Sequence, residues 1–122
     1  ERSHKLAFSF LKSKLGFNTI DFTEENFKKF KVRDRVKLFG LCSIKQKPHT
    51  ARGAIFLTLE DDYGFVNVVV CADLGKKLKQ IILAEDFMFI EGRFQGMVGD
   101  IPYVFAEAIV GQSSAVERFL KF

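Results

Sequence analysis

The chain has no tryptophan, and only two histidines, two cysteines and two tyrosines among its 122 residues. Each scarcity removes a class of reading. Two cysteines, Cys42 and Cys71, cannot build a disulfide framework. Both fall in strand-like patterns, which predicts buried free thiols and a reducing, cytoplasmic setting. The histidines, His4 and His49, stand in no Ser/His/Asp or Cys/His spacing that supports nucleophilic catalysis, so no catalytic residue is expected. The run Glu60-Asp61-Asp62 reads as the chemistry of a turn, so neither a metal nor a cofactor is expected. No apolar run approaches the ~20 residues of a membrane span. The first apolar stretch is broken by Lys5, Lys12 and Lys14, unlike a signal peptide. The opening Glu1-Arg-Ser-His4 is compatible with an excised domain as well as with a free-standing protein.

What is present is hydrophobic and slightly basic. Apolar residues make up 48% of the chain and 15 residues are phenylalanine, so part of the phenylalanine set must form a core. A single domain of this size buries roughly 65% of its unfolded surface, enough for a core without staples. The net charge of +4 is a modest basic bias that favours a polyanionic partner without requiring one.

Taken in order, residues 4–15 carry Leu6, Phe10 and Leu11 on one helical stripe, ended by Gly16. Thr23 is an expected N-cap for a second short helix over 24–30, with Glu24 and Glu25 where the helix dipole favours them. From Arg33 the period changes to two. Val36, Leu38, Gly40, Cys42 and Ile44 share one face of a long strand; Lys37, Phe39, Leu41, Ser43, Lys45 and Lys47 share the other. Gly40 marks an expected bend or bulge. After a loop over 47–53 come two strands joined at Asp61-Asp62-Tyr63-Gly64, where Gly64 is expected to supply positive φ. Residues 73–83 predict a helix with the stripe Leu74, Leu78, Ile81 and Ile82, capped by Asp73. Two further strands, Phe87 to Gln95 and Ile101 to Val110, flank a glycine-rich loop. In the first, Gly92 is a second expected bend; in the second, Val104, Ala106, Ala108 and Val110 share a face. Residues 111–122 predict a terminal helix.

The expected fold is therefore an all-β core, a five-stranded OB-fold barrel with a helix between strands 3 and 4 and short flanking helices. An SH3-like barrel competes but lacks that helix. The expected segments are an N-terminal helical part (1–31), the OB-fold domain (32–110) and a C-terminal helix (111–122).

The central hairpin carries the functional signal. Ile55, Leu57 and Leu59, with Val66, Val68 and Val70, form aliphatic faces that must point inward. Phe56, Thr58, Asn67 and Val69 then point outward together, an aromatic ring beside hydroxyl and amide groups. Such a surface suits stacking on unpaired bases. Lys45, Lys47, His49 and Arg52 flank it and are expected to meet phosphates or, for His49, a base. Glu60 shares the outward parity of Phe56 and should repel phosphate locally.

Residues Val36 to Val110 resemble the OB domain near the C-terminus of the alpha subunit of bacterial DNA polymerase III, and most of all its error-prone relative. The likeness rests on Gly40-Leu41, on Ile44-Lys-Gln-Lys-Pro-His-Thr-Ala-Arg-Gly53, on Phe56-Leu-Thr-Leu-Glu-Asp61 and on Gly64-Phe-Val-Asn-Val-Val-Val70. Ser3-His4-Lys5-Leu6 is similar to the stretch upstream of that domain, except that Lys5 stands where the family commonly has proline. The Phe-x-Thr-Leu and Gly-x-x-Asn pieces also resemble anticodon-binding OB domains of class II aminoacyl-tRNA synthetases. That resemblance implies a base stacked on Phe56 with Asn67 beside it. The polymerase resemblance implies a binding module for single-stranded DNA, with RNA as a possible ligand, in replication or repair. The catalytic aspartates of the polymerase lie in a region this chain lacks. Other replication or repair proteins are the expected further partners, and no membrane is. The alternative is a protein-interaction or dimerisation OB domain, in which Phe39, Phe65, Phe87, Phe105 and Phe119 cover a partner surface.

Overall fold

The computed structural model describes residues 19–111. Five strands form a closed barrel: β1 (Arg35–Gln46), β2 (Ile55–Glu60), β3 (Phe65–Val70), β4 (Phe87–Val98) and β5 (Ile101–Gly111). Their order around the barrel is β1-β2-β3-β5-β4, with β4 returning to β1. All pairings are antiparallel except β3 with β5. A short helix α1 (Glu24–Phe27) precedes the barrel, and a 3-10 turn (His49–Ala51) lies between β1 and β2. Helices α2 (Ala72–Lys77) and α3 (Lys79–Ala84) fill the connection from β3 to β4. This is the OB-fold expected from the order of elements. The helices expected over 4–15 and 111–122 lie outside the described residues, apart from Gly111, which ends β5.

The alternation in the central hairpin decides the core. Leu57, Leu59, Val66, Val68 and Val70 are essentially inaccessible, and Val36, Leu38, Met88, Ile90, Phe94 and Val104 join them from the other strands. Each such side chain contributes roughly 1.5–3 kcal/mol by leaving water. Phe22 and Phe27 belong to the same core. Thr23 caps α1 as expected, its Oγ1 accepting from the Asn26 N–H at 3.1 Å. The stretch expected as one helix over 73–83 is two helices that break at Leu78 (φ −105°, ψ 13°). Cys71, not Asp73, is the N-cap residue, and it is exposed rather than buried.

Two β-bulges overturn local face assignments. Cys42 pairs with Leu59 but Ile44 pairs with Thr58, so Ser43 is an extra residue. Beyond it the faces exchange, as an inserted residue requires. Ile44, expected inside, is 48% exposed, and Lys45 takes the parity of Leu57. In β5, Glu91 pairs with Ala108 and Gly92 with Ala106, so Glu107 is extra. Ile109 is therefore buried while Ala108 is exposed. Gly92 sits at that irregularity, as expected of a bend. A Cβ there would lie 2.1 Å from the Phe105 carbonyl oxygen. Gly40 carries no bulge, since its pairing with β4 is regular.

Candidate nucleic-acid interface

The turn between β2 and β3 explains the acidic run. The Asp61 carboxylate accepts backbone N–H groups from Tyr63 (2.8 Å), Gly64 (3.1 Å) and Phe22 (2.9 Å). Asp61 thus closes the turn and ties the segment before α1 to the barrel. Gly64 is needed for space rather than for positive φ, because a Cβ would meet the Phe22 carbonyl oxygen at 2.4 Å. Among the described residues no group of three or more His, Cys, Asp or Glu is placed to hold a metal ion.

With the turn fixed, strand register lays the outward residues in rows across the barrel. One row runs Gln46, Phe56, Val69, Phe105 and Arg93. The next runs Ile44, Thr58, Asn67 and Tyr103. Phe56 is 37% exposed and Phe105 51%. They stand two strands apart, roughly 10 Å at the usual strand spacing. Thr58 Oγ1 donates to Asn67 Oδ1 at 3.0 Å. That bond orients the amide, and its Nδ2 donors have no partner among the described residues. Gln46, Phe56, Thr58, Asn67, Val69 and Tyr103 line a groove of about 240 Å³. A preformed slot beside a ring, with an oriented amide at its side, can hold a planar group and hydrogen-bond its edge.

The basic residues divide. Lys47, His49 and Arg52 are exposed in the β1–β2 loop, at the Gln46–Phe56 edge of the platform. Arg52 adopts a left-handed conformation (φ 53°) that, with Gly53 (φ 90°), turns the chain into β2. Lys45 does not join them. The bulge sends it to the inward parity, where Nζ donates to the Glu85 carbonyl at 3.1 Å and lies 3.8 Å from the Asp86 carboxylate. At the turn end of β2, Glu60 pairs with Phe65, and at the far end of the Phe56 row the Arg93 guanidinium is held by Glu107 at 3.1 Å. The platform is thus basic at one end and acidic at the other.

The sequence pattern does not mark Gln46, Tyr103 or Phe105 as nucleic-acid-binding residues. Gln46 follows the bulge, and the two aromatics reach the platform only through the parallel β3–β5 pairing. Their outward parity within β5 was the one available signal.

The outer face of β1 and β4 is different. Phe39 is fully buried there and Phe89 nearly so, their ring centroids 4.2 Å apart, with Phe87 stacked on Phe39 at 6.2 Å. Phe39 therefore does not belong to an open partner surface. Phe65 and Phe105 are exposed, and Phe119 lies outside the described residues.

Known proteins agree with this architecture. No protein-family model matches the chain. An error-prone DNA polymerase from Bdellovibrio bacteriovorus is 37% identical over 89 residues, covering 73% of this chain and 8% of that protein. One from Rhodopseudomonas palustris is 31% identical over 84 residues, 69% of this chain and 7% of the relative. The chain thus spans less than a tenth of the curated relatives it matches. Among solved structures, asparaginyl-tRNA synthetase from Pyrococcus horikoshii, complexed with asparaginyl-adenylate, superposes with a TM-score of 0.61 at 16% identity, over 79% of this chain and 22% of that one. A small single-stranded DNA binding protein from Mycoplasma pneumoniae gives 0.52 at 12% identity, over 65% of this chain and 93% of that one. At such identities the structural likeness concerns the fold alone. Together with the sequence matches, it bears out the resemblance read from the motifs: this chain contains an OB-fold similar to a segment of the error-prone DNA polymerases.

Proposed function

We propose that this domain binds single-stranded nucleic acid, DNA first and RNA second, without sequence preference and without catalysis of its own, as a module of replication or repair in the cytoplasm. One observation carries the reading. The exposed Phe56 ring stands over a groove whose flank is the oriented Thr58–Asn67 pair, with Lys47, His49 and Arg52 at its edge. A base stacks on the ring, the Asn67 amide meets its edge, and the loop cations meet phosphate. Stacking needs open base faces, so a duplex forfeits most of that stabilisation.

The test is a titration of labelled single strands and their duplexes against the native protein and Phe56→Ala. The expected result is preference for single strands, weakened by about 1–3 kcal/mol in Phe56→Ala. Equal affinity for strand and duplex, or unchanged binding in Phe56→Ala, would sink the reading. A protein-interaction domain would then be favoured, on the exposure of Phe65 and Phe105.

A further inference from the structure

A second cavity, of about 400 Å³, lies at the end of the barrel between the β1–β2 loop and helices α2 and α3. Its floor is apolar: Ile55, Ala72, Gly75, Ile82 and Leu83. Four lysines, Lys45, Lys47, Lys76 and Lys79, stand on its walls, and no acidic residue lines it. Lys45 is compensated by Asp86, whereas Lys47, Lys76 and Lys79 have no ion-pair partner among the described residues. The walls are tightly set. A Cβ on Gly75 would lie 2.9 Å from Ile55 Cδ1, and one on Gly53 3.0 Å from Ala72 Cβ. Gln46 lines this cavity and the platform groove alike, so the two are neighbours joined at one residue.

We propose that this basic groove is a second nucleic-acid subsite, into which a single strand passes from the Phe56 platform over Gln46, with Lys47, Lys76 and Lys79 on its phosphates. The inference rests on the reading of the platform above and adds a path to it. Charge selects the direction. A strand leaving toward the β2–β3 turn meets Glu60 and Asp62; one leaving over Gln46 meets three unpaired ammonium groups. The apolar floor accepts a base that has left the platform, while the phosphates remain at the lysine rim. A hydrogen-bonding code is absent from that floor, so the subsite extends the footprint without reading sequence.

The experiment compares oligothymidylates of about four and about twelve nucleotides, which bracket the usual site sizes of OB-folds. They are titrated across a salt series against the native chain, Phe56→Ala, Lys76→Gln/Lys79→Gln, and a charge-matched control, Lys29→Gln/Lys31→Gln. The control pair is exposed near the Arg35 end of β1, away from the groove. The expected result is that Lys76→Gln/Lys79→Gln leaves the short oligomer unchanged. For the long one it makes the log–log salt slope shallower by about 1.4, from about 0.7 per phosphate contact. Phe56→Ala should weaken both oligomers. Equal effects of the two lysine pairs, or equal effects on both lengths, would reduce the groove to general electrostatics and overturn the inference while leaving the platform standing. No effect of Phe56→Ala on either oligomer would remove the platform, and the path with it. An acidic peptide with an apolar end that binds in Lys76/Lys79-dependent fashion and leaves the long oligomer bound would assign the groove to a protein instead.

Discussion

The barrel has two outer faces rich in phenylalanine, and they meet opposite fates. On β1 and β4, Phe39 and Phe89 stack at 4.2 Å and are withdrawn from solvent. On β2, β3 and β5, Phe56 and Phe105 stand in one row with Val69 between them and remain open. Residue type and strand parity are the same in both places. What differs is the company. Thr58, Asn67 and Gln46 place polar groups around the open rings, while Leu41, Phe87 and Val110 pack against the closed ones. Neighbours able to hydrogen-bond a guest accompany the open rings and not the closed ones.

Phe39→Ala should have the greatest effect. It should cost about 3–5 kcal/mol of stability, the range for a buried phenylalanine, and leave the affinity of the folded fraction unchanged. Urea midpoints and single-strand titrations of the same samples read both quantities. A small stability loss with a loss of binding would make the closed face the functional one. Next in size, Phe105→Ala should weaken single-strand binding by about 1–3 kcal/mol if its ring carries a second base. Its stability should fall far less than that of Phe39→Ala. Unchanged affinity would confine the platform to Phe56.

Two smaller effects sharpen the picture. Lys47→Gln should make the salt slope of single-strand binding shallower by about 0.7. Lys45→Gln should leave the slope as it is, because its ammonium is spent on Glu85 and Asp86. Equal slopes for the two variants would argue against the bulge at Ser43. Finally, an alkylating reagent should label exposed Cys71 quickly and Cys42 only on unfolding. Burial pushes the Cys42 thiol up, with Lys45 opposing and Asp86 assisting. A thiol held protonated in the folded state stabilises fully below its unfolded pKa. Stability should therefore decline as pH rises from the unfolded value through the folded one. A pH-stability profile of Cys42→Ser, whose hydroxyl does not titrate there, should lack that component.

How much of this could be read from the residues depends on sequence distance. The β2–β3 hairpin was legible because Phe56, Leu57 and Val66 to Val70 alternate without interruption and their partners lie a few residues away. The same rule failed for Ile44, Lys45 and Ile109, since a bulge shifts parity without leaving a distinctive residue behind. Gly40 reads in the sequence as a bend or bulge, and what the fold shows there is close approach: a Cβ would sit 2.8 Å from the Glu60 carbonyl oxygen. Tyr103 and Phe105 were legible as strand residues but not as site residues. Only the tertiary closure of β5 on β3 brings them beside Asn67 and Val69.

That closure has a consequence for how the chain is made. Until residues 101–111 have left the ribosome, the stretch Asn67-Val68-Val69 of β3 lacks the strand that pairs with it. Unpaired, β-branched and low in charge, it is a template for pairing with a neighbouring chain. The contact that seals it joins residues 36 apart in sequence, and such a non-local pairing is slow to form. The nascent domain passes through a window in which crowding of partly synthesised chains competes with folding. Chaperone dependence during synthesis, absent once the barrel is closed, would be the visible trace of a single parallel strand pair.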